Sequence, residues 1–379
     1  MRGSILFAML VLFTSFSAAQ TKGQEITAGH YDSIESEVLS TTRSLQIFLP
    51  ENYETSNRSY PVLFHLYGDR INQYWLEAVS VVYNLSSPGI MPEVIIVGID
   101  EVDRYRNLLP RDSDGNPTRI DAFTRFVEKE LIPYIDGKFR TLDYRILVGP
   151  QVGANFGLYT LLNSPDLFDA FILTHPFRWG RGRDYLEERS TEFLAEKKKL
   201  RKFLFITSND DDEYERAGHP YLERFVKAAN EADLSGFVVV RNHLGNTGEF
   251  TSPTGLKAGL KELFDGFDMP DEVEIENLAD IKAYYAKYFK HRGFSVAIPE
   301  LELIQRSDIL EKTDTASAIE ILDYTKNLYP KGAMSYCRLG NIYASVEDDG
   351  PAIENLEQCV KYAPGYRAAR EKLAELKGE

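Results

Sequence analysis

Cysteine is scarce in this chain: Cys337 and Cys359 are the only two among 379 residues. A fold held together by a disulfide framework is thereby excluded, and stability has to come from an apolar core. Positive charge is also in short supply. Lysine and arginine total 43 against 58 aspartates and glutamates, a formal net charge of −15. Nucleic-acid binding needs a basic surface that displaces counterions, so no nucleic-acid partner is expected. The basic run Lys197–Lys202 (KKKLRK) reads as a solvated helix end ahead of a strand. Histidine is limited to six residues, none at the spacing of a metal site. Long apolar runs are missing except near the start, where Arg2 precedes ILFAMLVLFTSF and the small residues SAA follow. That is the layout of a signal peptide over residues 1–19, with an uncleaved anchor as the alternative. A secreted or periplasmic protein with no later membrane span is the expectation.

What the chain does contain is ample material for a core. Apolar residues make up 43% and aromatic residues 12%, and the length allows one large domain and a smaller one. Over residues 20–270, strand-like runs alternate with amphipathic stretches. RSLQIFLP and YPVLFHLYG read as early strands, and EVIIVGID as a parallel strand buried on both faces. YRILVG, AFILTHP, KFLFITSN and GFVVVRNH continue the series, with helices between them. This alternation predicts a three-layer α/β fold, a mostly parallel sheet covered by helices on both faces. Functional sites in such sheets lie at the carboxyl ends of the strands.

One of those ends reads Gly149-Pro150-Gln151-Val152-Gly153, following the apolar run Ile146–Val148. In many hydrolases the same strand-to-helix turn reads G-x-S-x-G and presents a serine nucleophile. Glutamine occupies the serine's place here. The small residues that permit the tight turn are kept, and the nucleophile is not.

Residues 271–379 change to an all-helical pattern with a repeat. Ala318 and Ala352, Leu322 and Leu356, Thr325 and Cys359, and Pro330 and Pro364 are each 34 residues apart. Tyr336, Leu339, Gly340 and Tyr343 stand at the spacing of a first repeat helix. The pattern resembles the tetratricopeptide repeat, most closely over residues 333–364. About three units are needed for a free-standing array, so two are expected to dock on the α/β domain or on a partner. Cys337 and Cys359 fall on the two helices of one unit. They read as small core residues, with a disulfide as the alternative.

Taken together, QIFLPENYETSNRSYPVLFHLYGD, FVEKELIPYIDGKFRTLDYRILVG, LLNSPDLFDAFI and YAKYFKHRGFSVAIPE resemble the esterase-D or enterochelin-esterase-like branch of the α/β-hydrolases, in its form with C-terminal tetratricopeptide repeats. The resemblance implies carboxylic ester hydrolysis by a Ser-His-Asp/Glu triad, without metal or cofactor. Carried over position by position, the nucleophile falls on Gln151, whose amide forms no acyl-enzyme. The acid falls within Ser208–Glu213, with Asp211 taken from several carboxylates. The histidine falls on Thr247, which is no general base. His243, four residues earlier, is the alternative base, with a hydrogen-bonded structural role as its other reading. Oxyanion donors are expected at Val152 and near Tyr67, Gly68 and Asp69, and His175 is a further pocket candidate. His65 reads as buried in a strand; His30, His219 and His291 read as surface or loop residues. The resulting expectation is a degenerate esterase that binds an ester- or carboxylate-containing molecule, or a protein through its repeats. The alternative is an active ester hydrolase with a non-standard apparatus.

Overall fold

A computed structural model describes residues 28–379, apart from 55, 67–70, 101–102, 177–182, 197–198, 212 and 233. The proposed signal peptide and the candidate oxyanion residues Tyr67, Gly68 and Asp69 lie outside the described residues.

Among the described residues, eight strands form one sheet: β1 His30–Ser36, β2 Thr41–Phe48, β3 Tyr60–Leu66, β4 Ile95–Ile99, β5 Thr141–Pro150, β6 Ala170–Thr174, β7 Lys199–Ser208 and β8 Ser235–His243. Their order is β1-β2-β4-β3-β5-β6-β7-β8. β1 and β2 pair antiparallel, as do β2 and β4, and every other neighbouring pair is parallel. All seven residues of β3 and all five of β4 and of β6 are buried, which is what a sheet covered on both faces demands. The edge strand β1 alternates exposed polar residues, so nothing in HYDSIES marks it as a strand before its partner is known.

The helices are α1 Ile71–Ser86, α2 Arg104–Asn107, α3 Ile120–Phe126, α4 Ile132–Lys138, α5 Val152–Asn163, α6 Arg183–Glu196 and α7 Glu213–Glu231. They continue with α8 Thr251–Leu263, α9 Leu278–Arg292, α10 Glu300–Leu310, α11 Thr315–Leu328, α12 Ala333–Ser345, α13 Asp349–Tyr362 and α14 Arg367–Lys377. A π-helical turn over Val127–Leu131 joins α3 to α4.

Alternate residues of each strand feed two apolar layers. Leu147, Phe171 and Leu204 pack with Phe123, Phe156 and Leu222 on the side of α3, α5 and α7. Ile146, Ile172 and Phe205 pack with Trp75, Leu260 and Tyr285 on the side of α1, α8 and α9. Leu303, Ile321, Leu322 and Leu339 belong to that second layer, so the C-terminal helices dock on the sheet domain through a shared core. None of the helices among the described residues is long and apolar enough to cross a membrane.

Two sequence expectations are corrected. Lys199–Lys202 is not a helix end but the start of β7, with Lys202 paired to Asp169 at 3.5 Å. Cys337 and Cys359 are buried, as core residues should be, but they are also joined by a disulfide (S–S 2.01 Å, Cα–Cα 5.0 Å) that ties α12 to α13. Antiparallel helices in close contact bring the two Cβ atoms within bonding reach, which the 34-residue repeat alone does not reveal.

Candidate active site at the strand-to-helix elbow

β5 ends at Pro150 and α5 begins at Val152, leaving one residue to reverse the chain. That residue, Gln151, has φ 52° and ψ −114°. A side chain is rarely tolerated there, and holding it costs about 1–3 kcal/mol. The turn is over-determined by its surroundings. The Gln151 N–H donates to the Thr174 carbonyl at the end of β6 (2.8 Å), and the Ala154 N–H donates to the Gln151 carbonyl (3.0 Å). A Cβ on Gly149 would lie 2.4 Å from the Gly153 carbonyl oxygen, and one on Gly153 would lie 3.1 Å from Leu66 Cβ. Gly149 is therefore required for the helix to start so close to the strand, and at Gly153 a side chain would press on Leu66. The result is a tight, strained strand-to-helix turn with an amide at its apex, the local shape of a nucleophile elbow. Gln151 Nε2 donates to Tyr74 Oη at 3.2 Å, which fixes the amide toward α1.

The neighbouring strand ends surround this turn with hydroxyls. His175, directly after Thr174, is buried and also at positive φ, 44°. Its backbone N–H donates to Thr207 Oγ1 at 3.4 Å, and its Nε2 lies 3.5 Å from Ser252 Oγ. The loop after β7 places Asp211 against the start of α8. Asp211 Oδ2 accepts from Asn209 Nδ2 at 2.7 Å and from Thr251 Oγ1 at 3.2 Å. The Thr251 hydroxyl in turn makes a short hydrogen bond with that of Thr247. Asp211 and Thr247, the positions carried over for acid and histidine, are thus linked through buried Thr251. The linkage has the right order for a triad and no imidazole in it. Hydroxyls satisfy the carboxylate but relay no proton at neutral pH.

His243 is placed elsewhere. It pairs with Ser208 in the β7–β8 register, and its ring lies 5.3 Å from that of His219 in α7. Its Nε2 lies 3.0 Å from Asp210 Oδ2 and its Nδ1 3.2 Å from Ser208 Oγ. This has the connectivity of a serine triad, but Ser208 is 1% exposed and already accepts from Arg241 at 3.4 Å. An acyl group has no way in. His219 is a correction to the sequence reading. It sits within α7 with an 18% exposed side chain, its Nδ1 3.9 Å from Asp210 Oδ1 and its Nε2 2.8 Å from the Asn209 carbonyl. Spacing could not reveal this cluster, because His219 and His243 come from a helix and the following strand. Thr251, Asn209 and Tyr74 were likewise invisible, being ordinary residues until the loops close. His65 is buried in β3 as expected, and burial pushes its imidazole down to about 3.

A family model described as "Putative esterase" matches residues 36–244, just over half of the chain. The chain belongs to this esterase family. The uncharacterized protein YjcH of Bacillus subtilis (strain 168) is 26% identical over 148 residues, which is 38% of this chain. The chain spans 59% of the length of that relative. Among solved structures, an IroE-like serine hydrolase from Shewanella oneidensis superposes with a TM-score of 0.65 at 23% identity, covering 79% of this chain and 99% of that one. An uncharacterised protein from Capnocytophaga ochracea DSM 7271 superposes at 0.59 with 19% identity, covering 92% and 99%. The siderophore hydrolase EstB from Aspergillus nidulans does so at 0.52 with 16% identity, covering 67% and 100%. These likenesses establish the α/β-hydrolase fold for the sheet domain, with a helical C-terminal region added to it.

Proposed function

We propose that this esterase-family protein is exported and catalytically degenerate, and that it binds an ester- or carboxylate-bearing small molecule at the old nucleophile turn. The observation that carries this reading is Gln151 at the apex of the elbow, φ 52°, with the glycine contacts of that turn retained. Loss of serine and histidine from a working triad costs on the order of 10⁶ in turnover. What remains in such mutants is roughly 10³–10⁴ over water, from oxyanion donors and binding. The Val152 N–H, first in α5, is the donor on the elbow side, and a helix N-terminus favours a carbonyl or carboxylate oxygen. Two fold relatives, a serine hydrolase and a siderophore hydrolase, are consistent with a site of hydrolase ancestry.

The C-terminal helices form the second half of the proposal, as tetratricopeptide-type hairpins that offer a surface to a protein partner. Their 34-residue period and the close approach at Gly340, where a Cβ would lie 2.6 Å from Leu356 Cγ, support it. The competing reading, an active hydrolase using His243 with Asp211, is disfavoured because His243 bonds Asp210 beneath α7 while Asp211 is tied to Thr251 at α8.

An alkyl fluorophosphonate, which phosphonylates an activated serine with loss of fluoride, tests the reading. Intact-mass analysis of the mature protein is expected to show no adduct. A stoichiometric adduct on any serine would overturn the degenerate reading.

A further inference from the structure

The end of β7, the end of β8 and the first turns of α7 bring two imidazoles and a carboxylate to one spot outside the elbow. We propose that Asp210, His219 and His243 form a binding site for a divalent transition metal ion of the zinc type. Their donor atoms all lie within 4.8 Å of one another. Zinc bonds of about 2.0–2.2 Å place the donors of a tetrahedral site roughly 3.3–3.5 Å apart. The separations of 3.0 Å from His243 to Asp210 and 3.9 Å from His219 to Asp210 bracket that value. Small side-chain adjustments suffice to close the set, and the 42% exposed His243 has room to make them.

The second bonds of the two histidines point to ligation independently of proximity. His219 Nε2 faces the Asn209 carbonyl at 2.8 Å. A carbonyl only accepts, so Nε2 holds the proton and the Nδ1 lone pair is turned to the centre. His243 Nδ1 lies 3.2 Å from Ser208 Oγ, a contact that holds the ring with Nε2 turned toward Asp210. Each imidazole is thus oriented by a partner behind it, the arrangement that ligating histidines use. Arg241 steadies the Ser208 hydroxyl and is itself neutralised by Glu223 at 3.1 Å. Arg216 binds the Asp210 backbone carbonyl and not the carboxylate. Calcium, which takes six to eight oxygens, is excluded by the donor set, whereas two imidazoles and one carboxylate suit zinc with a water molecule on the open side. Zinc here would pin the β7–α7 loop that also carries Asp211. The inference stands apart from the reading of Gln151.

The test uses full-length mature protein without an affinity tag, stripped with chelator and titrated with zinc sulfate against a chromophoric competitor. One zinc per chain is expected. Affinity should fall at least 100-fold in His219→Gln and in His243→Gln, and about 10-fold in Ser208→Ala, the size of a lost supporting bond. His291→Gln, at an exposed position, should bind as the wild type does. Cobalt substitution gives a readout independent of affinity: the visible band of imidazole-ligated cobalt should appear in the wild type and vanish in His243→Gln, with circular dichroism unchanged. Wild-type binding no tighter than in the two histidine variants, or an unchanged cobalt spectrum in them, would overturn the site.

Discussion

Replacing Gln151 with glycine and, separately, with alanine separates the shape of the elbow from the side chain it displays. Both substitutions remove the amide and its 3.2 Å bond to Tyr74, so that loss cancels between them. They differ in backbone. At φ 52°, ψ −114°, alanine retains the strain of a side chain in a sparsely populated region, about 1–3 kcal/mol, and glycine relieves it. Glycine also loses about 0.4–1 kcal/mol through greater freedom of the unfolded chain. The net expectation is that Gln151→Gly is about 1–2 kcal/mol more stable than Gln151→Ala, or roughly 1–3 °C in Tm for a chain of this size. Urea unfolding followed by tryptophan fluorescence, with thermal melts as a second measure, reads the difference. Equal stability, or an alanine variant more stable than the glycine one, would show that residue 151 is not held at positive φ. The elbow would then not have been preserved.

Two further outcomes follow from the C-terminal docking and its staple. The Glu300 carboxyl is pushed up to about 7, first by burial, with Arg58 pulling it down and Glu93 pushing it up. The folded state therefore keeps a proton that the unfolded state releases near 4.5, and stability falls as pH rises from about 4.5 to 7. The full span is on the order of 3 kcal/mol. Glu300→Gln should flatten that slope and be the more stable protein at pH 8, read from urea midpoints across the range; parallel profiles would contradict it. The disulfide closes a segment with a sequence separation of 22 residues. Loop-closure entropy for that length gives about 3 kcal/mol, so Cys337→Ala/Cys359→Ala should lose amide protection in α13 and α14 by that order. Unchanged hydrogen exchange in those helices would refute the staple.

The central sheet was legible because β3, β4 and β6 are buried on both faces and so read as unbroken apolar runs. β1 was not, because an edge strand with one wet face alternates in a way that polar loops also do. The elbow could be located from Gly149 and Gly153; the lack of a Cβ is a geometric requirement at Gly149 and relieves a tight contact with Leu66 at Gly153. Nothing in the sequence singles out Asp211 among the carboxylates after β7; the Asn209 and Thr251 hydrogen bonds that tie it toward Thr247 exist only once two loops meet. The same holds for the Asp210–His219–His243 cluster, assembled by the register of β8 on β7 and the return of α7. Cys337 and Cys359 show the limit from another side: burial was readable and bonding was not, since bonding depends on how closely two helices approach.

The central claim is that the esterase elbow survives without its nucleophile. It is tested most directly by hydrolysis of a short- and medium-chain aryl ester panel by the purified protein, beside Gln151→Ala and Gln151→Ser. The wild type and the alanine variant are expected to show no turnover above the buffer blank. Robust wild-type turnover that Gln151→Ala leaves intact would place catalysis away from the elbow and contradict the account.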